Sequence, residues 1–169
     1  MTSHYEIIEK EMGPVVEIEE RVFMWQMPAT FRRDYGLLSS YIESQGSSLN
    51  GMPYARYLDI DWEREQRAGG LSKLLRMLTT KWHFQVGMPT KENLAAETTV
   101  QSRVLTQRRY ARTIHLGPYK EVGNTYNALI AWLHNQGEET EGEAFEIYLN
   151  SPEEVAEDEL ETEVLVTLK

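Results

Sequence analysis

YGLLSSYIESQGSSLNGMPYARYLD (35–59) aligns without a gap on YNALIAWLHNQGEETEGEAFEIYLN (126–150), a shift of 91 residues. Seven of the 25 positions are identical: Tyr35/Tyr126, Leu38/Leu129, Gln45/Gln136, Gly46/Gly137, Gly51/Gly142, Tyr57/Tyr148 and Leu58/Leu149. Tyr41/Trp132, Ile42/Leu133, Tyr54/Phe145 and Asp59/Asn150 are similar in kind. A match at one fixed spacing marks a duplicated supersecondary unit, and two copies are too few for a solenoid.

Each copy reads as helix, turn, strand. Tyr35, Leu38 and Ile42 share one helical face in the first, as Val122, Tyr126, Leu129 and Leu133 do in the second. Gly46 and Gly137 suit helix ends, where a left-handed residue is needed. Pro28 and Pro118 stand near the helix starts, where a missing amide hydrogen costs little. Asn50-Gly51 and Glu141-Gly142 turn the chain toward strands 53–59 and 143–149. Working outward, two strands precede each helix, near 4–10 and 15–22, then near 98–106 and 109–115. One more follows each unit, near 82–89 and 161–168. The expected fold is α+β: tandem β-β-α-β units with pseudo-twofold symmetry. Antiparallel sheets carry helices on one side and leave a central groove. One domain, 1–169, divides into halves of about 1–90 and 95–169. The first half alone has an insertion, 62–80, read as an extra helix with an apolar stripe of Leu71, Leu74, Leu75 and Leu78. Gly69 and Gly70 interrupt that helix or mark its start.

Composition narrows the function. There is no Cys among the 169 residues, hence no disulfide, thiolate nucleophile or Cys-bound metal. The four His residues lack metal-ligand spacing, and no P-loop, dinucleotide fingerprint or nucleophile elbow is present. No metal and no cofactor is expected. A net charge of -10 repels nucleic acid, so direct nucleic-acid binding is not expected. The basic cluster Arg103, Arg108, Arg109 and Arg112 reads as a strand balancing acidic neighbours. Twelve of the 27 acidic residues lie between Glu138 and Glu163 with no Lys or Arg among them, a stretch read largely as solvated loop. No apolar run approaches the roughly 18 residues of a membrane span. The first twenty residues show no secretory signal, so the expected location is cytoplasmic.

Period-two geometry sorts the repeated strand. Phe145, Ile147 and Leu149 point one way, and Glu146, Tyr148 and Asn150 the other. The apolar set is expected against the helices, leaving Glu146 and Tyr148 on the open face with Tyr57, Glu163, Leu165 and Thr167. Two half-sheets meeting there would enclose a groove with aromatic walls and one carboxylate, suited to a flat apolar or cationic ligand. Trp25, Trp62, Trp82 and Phe84 are further candidate walls. Plainer readings stand beside these: Glu146 as solvated strand surface, the paired tyrosines as shared packing, Trp132 as core.

HLGPYKEVGNTYNALIAWLHNQG (115–137) with FEIYLNSPEEVAEDELETEVLVTL (145–168) resembles the GyrI-like small-molecule-binding domain, the effector-binding domain of AraC-type and MerR-type regulators in the SOUL-like superfamily. GMPYARYLD (51–59) resembles that family's Gly-x-Pro-x-Ala-x-Tyr segment. The resemblance is weaker over 4–34 and absent over 62–80. It implies paired β-β-α-β units around a ligand groove that holds an acidic residue, here Glu146 or Glu163, with Glu146 favoured because Tyr148 shares its face. It implies binding of drugs, dyes and other planar or cationic compounds by a stand-alone member.

Three functions follow as expectations. The first is multidrug-type small-molecule binding by Tyr57, Tyr148, Glu146, Trp25, Trp62, Trp82, Phe84 and Leu165. The second is a metal-free, cofactor-free hydrolase opening cyclopropane-bearing alkylators, with Glu146 or Glu163 catalytic. The third is an acidic inhibitor or interaction domain that engages a basic protein partner through 138–163.

Overall fold

The computed structural model describes residues 4–169, apart from the side chains of Lys73, Leu74 and Met77, and contains the eight expected strands. They are β1 (Glu6–Lys10), β2 (Gly13–Phe23), β3 (Tyr54–Tyr57), β4 (Lys81–Pro89), β5 (Gln101–Leu105), β6 (Arg108–Leu116), β7 (Thr140–Tyr148) and β8 (Glu161–Leu168). The repeated helices are α1 (Met27–Ser44) and α4 (Val122–Gln136). The insertion folds as two helices, α2 (Trp62–Arg67) and α3 (Gly70–Thr79), instead of one. Ala68 and Gly69 part them, and Gly69 is the N-cap of α3. The expected leucine stripe is not a core face. Leu71, Leu75 and Leu78 are 73%, 55% and 58% exposed, and the Leu74 side chain lies outside the described residues.

All strands join one antiparallel sheet in the order β1-β6-β8-β7-β3-β4-β2-β5, not two half-sheets. Exchanging β1 with β5, β2 with β6, β3 with β7 and β4 with β8 reverses this order, which is the pseudo-twofold. Its axis falls between β3 and β7, where Ala55 stands opposite Glu146. The edge strands are exchanged between the halves. β1, from the first, pairs with β6 of the second, and β5, from the second, pairs with β2 of the first.

Both helices cover one face. Leu38, Tyr41 and Ile42 of α1 pack on Val16, Ile18, Phe84, Val86 and Met88. Leu129, Ile130 and Leu133 of α4 pack on Ala111, Ala144, Val164, Val166 and Leu168. Each fully buried leucine contributes roughly 2 kcal/mol of transfer free energy. The caps act as the repeat predicts: Gly137 ends α4 at φ 71°, with its amide donating to the carbonyls of Leu133 and His134.

The opposite face is also buried. Val15, Tyr54, Tyr110, Phe145, Ile147 and Leu165 form a second core, and Ile8 of β1 and Leu105 of β5 both reach it. Residues from the two opposite sheet edges meet one cluster, so the sheet is curled over it. This reverses the expected facing. Phe145, Ile147 and Leu149 fill the curled side, while Ala144, Glu146 and Tyr148 lie beneath the helices.

The acidic stretch divides between strand and loop. Residues 140–148 and 161–163 are strand, and the segment between Tyr148 and Glu161 is loop with a short 3-10 turn at Glu157–Glu159. Arg108 pairs with Glu141 and Glu143, Arg109 with Glu138, and Lys169 with Glu139. The arginine cluster thus balances acidic neighbours, as its alternation suggested. No described helix is long and apolar enough to cross a membrane.

Candidate functional site

β3 and β7 pair at the centre of the sheet, on the face that carries α1 and α4. Glu146 stands at its centre, 6% exposed. The symmetric position holds Ala55, so one carboxylate occupies the axis and a methyl group leaves it room. The repeated tyrosines converge on it. Tyr148 Oη donates to Glu146 Oε2 at 3.2 Å and Tyr57 Oη to the same oxygen at 3.4 Å. Tyr126, from α4, places its buried hydroxyl near the carboxylate without a hydrogen bond of good geometry. Its repeat partner Tyr35 is used differently, donating to the Tyr54 carbonyl at 2.8 Å.

Among the described residues no Lys or Arg pairs with Glu146. Burial raises its pKa from 4.5 to about 7, although hydrogen bonds from Tyr148 and Tyr57 and the nearby Tyr126 hydroxyl pull the other way. Burial first, and then the nearby Glu146 charge, holds Tyr57 and Tyr126 well above the ordinary tyrosine range. Tyr148 is likewise raised, by burial, Tyr57 and then Glu146. The tyrosines therefore remain neutral donors.

Rings line the surroundings. Phe84 lies on the floor, edge-on to Phe31 at 5.2 Å. Trp82 is 6.4 Å from Tyr57, and its indole N–H is buried without a partner. Trp62, opening α2, lies 5.5 Å from Tyr126 and donates to the Glu141 carbonyl at 2.8 Å. Tyr119 stands at the mouth, 37% exposed and 5.4 Å from Tyr148.

The structure thus joins Tyr57, Tyr148, Glu146, Trp82 and Phe84 in one contact cluster, brings Trp62 beside it through Tyr126, and separates three other candidates. Trp25 is 67% exposed and stacks on Phe23 away from the groove. Leu165 belongs to the curled-side core. Glu163 is also on that side, held by Lys10 Nζ at 2.7 Å and by Arg112. Burial pushes the Glu163 carboxyl up, but those two partners outweigh it and leave the pKa below the ordinary value. It is a neutralised structural ion. Glu146, not Glu163, is the carboxylate that lies with the tyrosines on the helix-bearing face, and the reading of Glu163, Leu165 and Thr167 on its face is corrected. Tyr35, Tyr119, Tyr126 and Phe31 were not among the candidates. The repeated Tyr35/Tyr126 pair was a usable signal, because a buried tyrosine needs a partner for its hydroxyl. No group of three His, Asp or Glu among the described residues is placed to hold a metal.

The fold is a curled eight-stranded sheet of paired β-β-α-β units with two helices on one face and a buried carboxylate among tyrosines at its centre. Residues 63–169 match the model of the GyrI-like small molecule binding domain, and the chain belongs to that family. No curated protein matches the sequence. Among solved structures, the EcmrR C-terminal domain superposes with a TM-score of 0.73 at 15% identity, over 100% of this chain and 99% of that one. In the EcmrR–DNA complex the values are 0.72 and 16%, over 98% of this chain and 57% of that one, so this chain spans little more than half of that EcmrR chain. A hydrolase from Listeria innocua gives 0.64 at 10% identity, over 98% and 91% of the two chains. SAV2435 bound to tetraphenylphosphonium gives 0.62 at 13%, over 100% and 94%. At these identities the likeness is one of fold.

Proposed function

We propose that this chain binds small aromatic or lipophilic cations in the groove between α1 and α4, acting as a soluble small-molecule receptor with no catalytic step. The observation that carries this is Glu146: a buried carboxylate on the pseudo-twofold axis, ringed by neutral aromatic donors and paired with no cation among the described residues. Such a group is costly to ionise alone, and a ligand cation supplies the missing charge. The rings of Tyr57, Tyr148, Trp62 and Trp82 add stacking and cation–π attraction. The rings pack on one another, so a ligand enters by turning those at the mouth, beginning with Tyr119. The fold likeness to SAV2435, a protein with tetraphenylphosphonium bound, supports a cation of that type.

Titration with tetraphenylphosphonium or a fluorescent cationic dye tests the reading. Affinity falls about tenfold or more in Glu146→Gln and in Tyr148→Ala, the loss of one charge-assisted contact or one ring. Unchanged affinity in both variants removes the assignment.

One observation favours a second reading. A carboxyl that titrates near neutrality can take a proton from water and return it. Water oxygen would bond to a strained cyclopropane carbon, and the electrons of the broken ring bond would pass to a conjugated oxygen protonated by a tyrosine. The fold likeness to a Listeria innocua hydrolase accords with this. Incubation with a cyclopropane-bearing alkylator discriminates: a product heavier by one water establishes hydrolysis, and recovery of the intact compound leaves binding alone.

A further inference from the structure

We propose that the cleft between α2 and α3 is a second ligand site, separate from the Glu146 groove, that binds a compact anion bearing phosphate or carboxylate groups. The cleft has a volume of about 360 Å³, and Arg64, Arg67 and Arg76 all line it. Three guanidinium groups from two helices converge there in a chain whose net charge is -10. Asp61 and Glu63 line the same cleft and Glu65 pairs with Arg76, so the charges balance in number, and what the cleft offers an anion is guanidinium donors that those carboxylates do not engage. Asp61 is occupied as the N-cap of α2, accepting from the Arg64 backbone amide at 3.0 Å. Glu63 meets Arg67 in an i,i+4 pair with the two side chains 74% and 79% exposed, a pairing that a ligand displaces at little cost. Arg64 has no carboxylate partner among the described residues. Arg76 is pinned by Glu65 at 2.7 Å, and its Nε–H is buried with no acceptor.

The cleft is therefore a fork of donors with one arm fixed, one unpaired and one weakly held. Planar guanidinium groups match the paired oxygens of phosphate or carboxylate, so two arginines can each give bidentate contacts. The first turn of α3 opens on the same cleft through Ser72. That helix has ten residues, begins without a side-chain cap and carries no acidic residue in its first turn, so its amides add to the positive field. The cleft volume suits a ligand of a few polar groups, such as pyrophosphate or a tricarboxylate. Both helices belong to the segment that only the first half of the duplicated chain possesses. The site is thus an addition to the symmetric scaffold, and its ligand charge is opposite to that drawn by Glu146.

Calorimetric titration of the whole chain with inorganic pyrophosphate, and separately with citrate, tests this at about 50 mM salt, where screening is moderate. The expected result is saturable one-to-one binding of at least one anion, weakening as salt rises. In the Arg64→Ala and Arg67→Ala double variant, affinity falls at least about tenfold. Both positions are on the cleft surface, and an unchanged melting curve shows that the fold is retained. Glu146→Gln leaves anion affinity unchanged, which separates this site from the groove. Binding of pyrophosphate alone assigns a phosphate ligand, and binding of citrate alone a carboxylate ligand. No saturable heat from either anion, or equal affinity in the double variant, overturns the proposal.

Discussion

Glu146 concentrates the chemistry of the protein on one residue, and its cost to the fold is measurable. In the unfolded chain it titrates near 4.5 and in the folded protein near 7. Between those values the folded state binds more protons, so stability falls as pH rises through that window. A shift of this size corresponds to about 3 kcal/mol once both states are ionised. Glu146→Gln is therefore more stable than the wild type at about pH 8, by up to about 3 kcal/mol, and gains far less near pH 5. Denaturant unfolding at the two pH values checks this. Equal effects at both would mean that the carboxyl is solvated. Sequence alone favoured Glu146 because Tyr148, two residues on, shares its face. It could not reject Glu163, whose neutralising partner Lys10 lies 153 positions away in the chain.

The elements explain why strand parity pointed the wrong way. Alternation on β7 correctly split Phe145, Ile147 and Leu149 from Glu146 and Tyr148. Parity assigns a face only when one side is solvated, and here both are covered. The more apolar set lies against the curled sheet itself. The set with Glu146 lies under the helices, where the groove needs polar groups. The same curl sets demands on β4. Tyr54 lies across Gly87, and its hydroxyl reaches Glu17 on β2 at 2.7 Å. A Cβ at Gly87 would overlap the Tyr54 ring. Gly87→Ala accordingly destabilises by about 1–3 kcal/mol through overpacking. A lower denaturant midpoint with an unchanged slope is the expected reading, and an unshifted midpoint would show that Tyr54 moves aside freely. The repeat did not reveal Gly87, because that strand lies outside the aligned stretch.

At the scale of the whole molecule, the duplication was legible but the exchange of edge strands was not. A repeat specifies the shape of each unit, whereas β1 on β6 and β5 on β2 are pairings across the chain. Each half therefore lends an edge to the other. Fragments 1–95 and 96–169 do not fold separately, since each lacks one edge strand and exposes β3 or β7. Mixed, they recover the strand circular-dichroism signal of the intact chain. An independently folded half would contradict the exchange. The insertion α2–α3 is the one large departure from symmetry, and it brings Trp62 to the groove wall.

The central claim is that a ligand cation takes the place of a proton on Glu146. Titration calorimetry with tetraphenylphosphonium, in two buffers of different ionisation enthalpy, counts that proton directly. The account predicts release of close to one proton per ligand near pH 6, about one unit below the shifted carboxyl, and almost none near pH 8.5, about one and a half units above it. Binding heats that are the same in both buffers near pH 6 would contradict it.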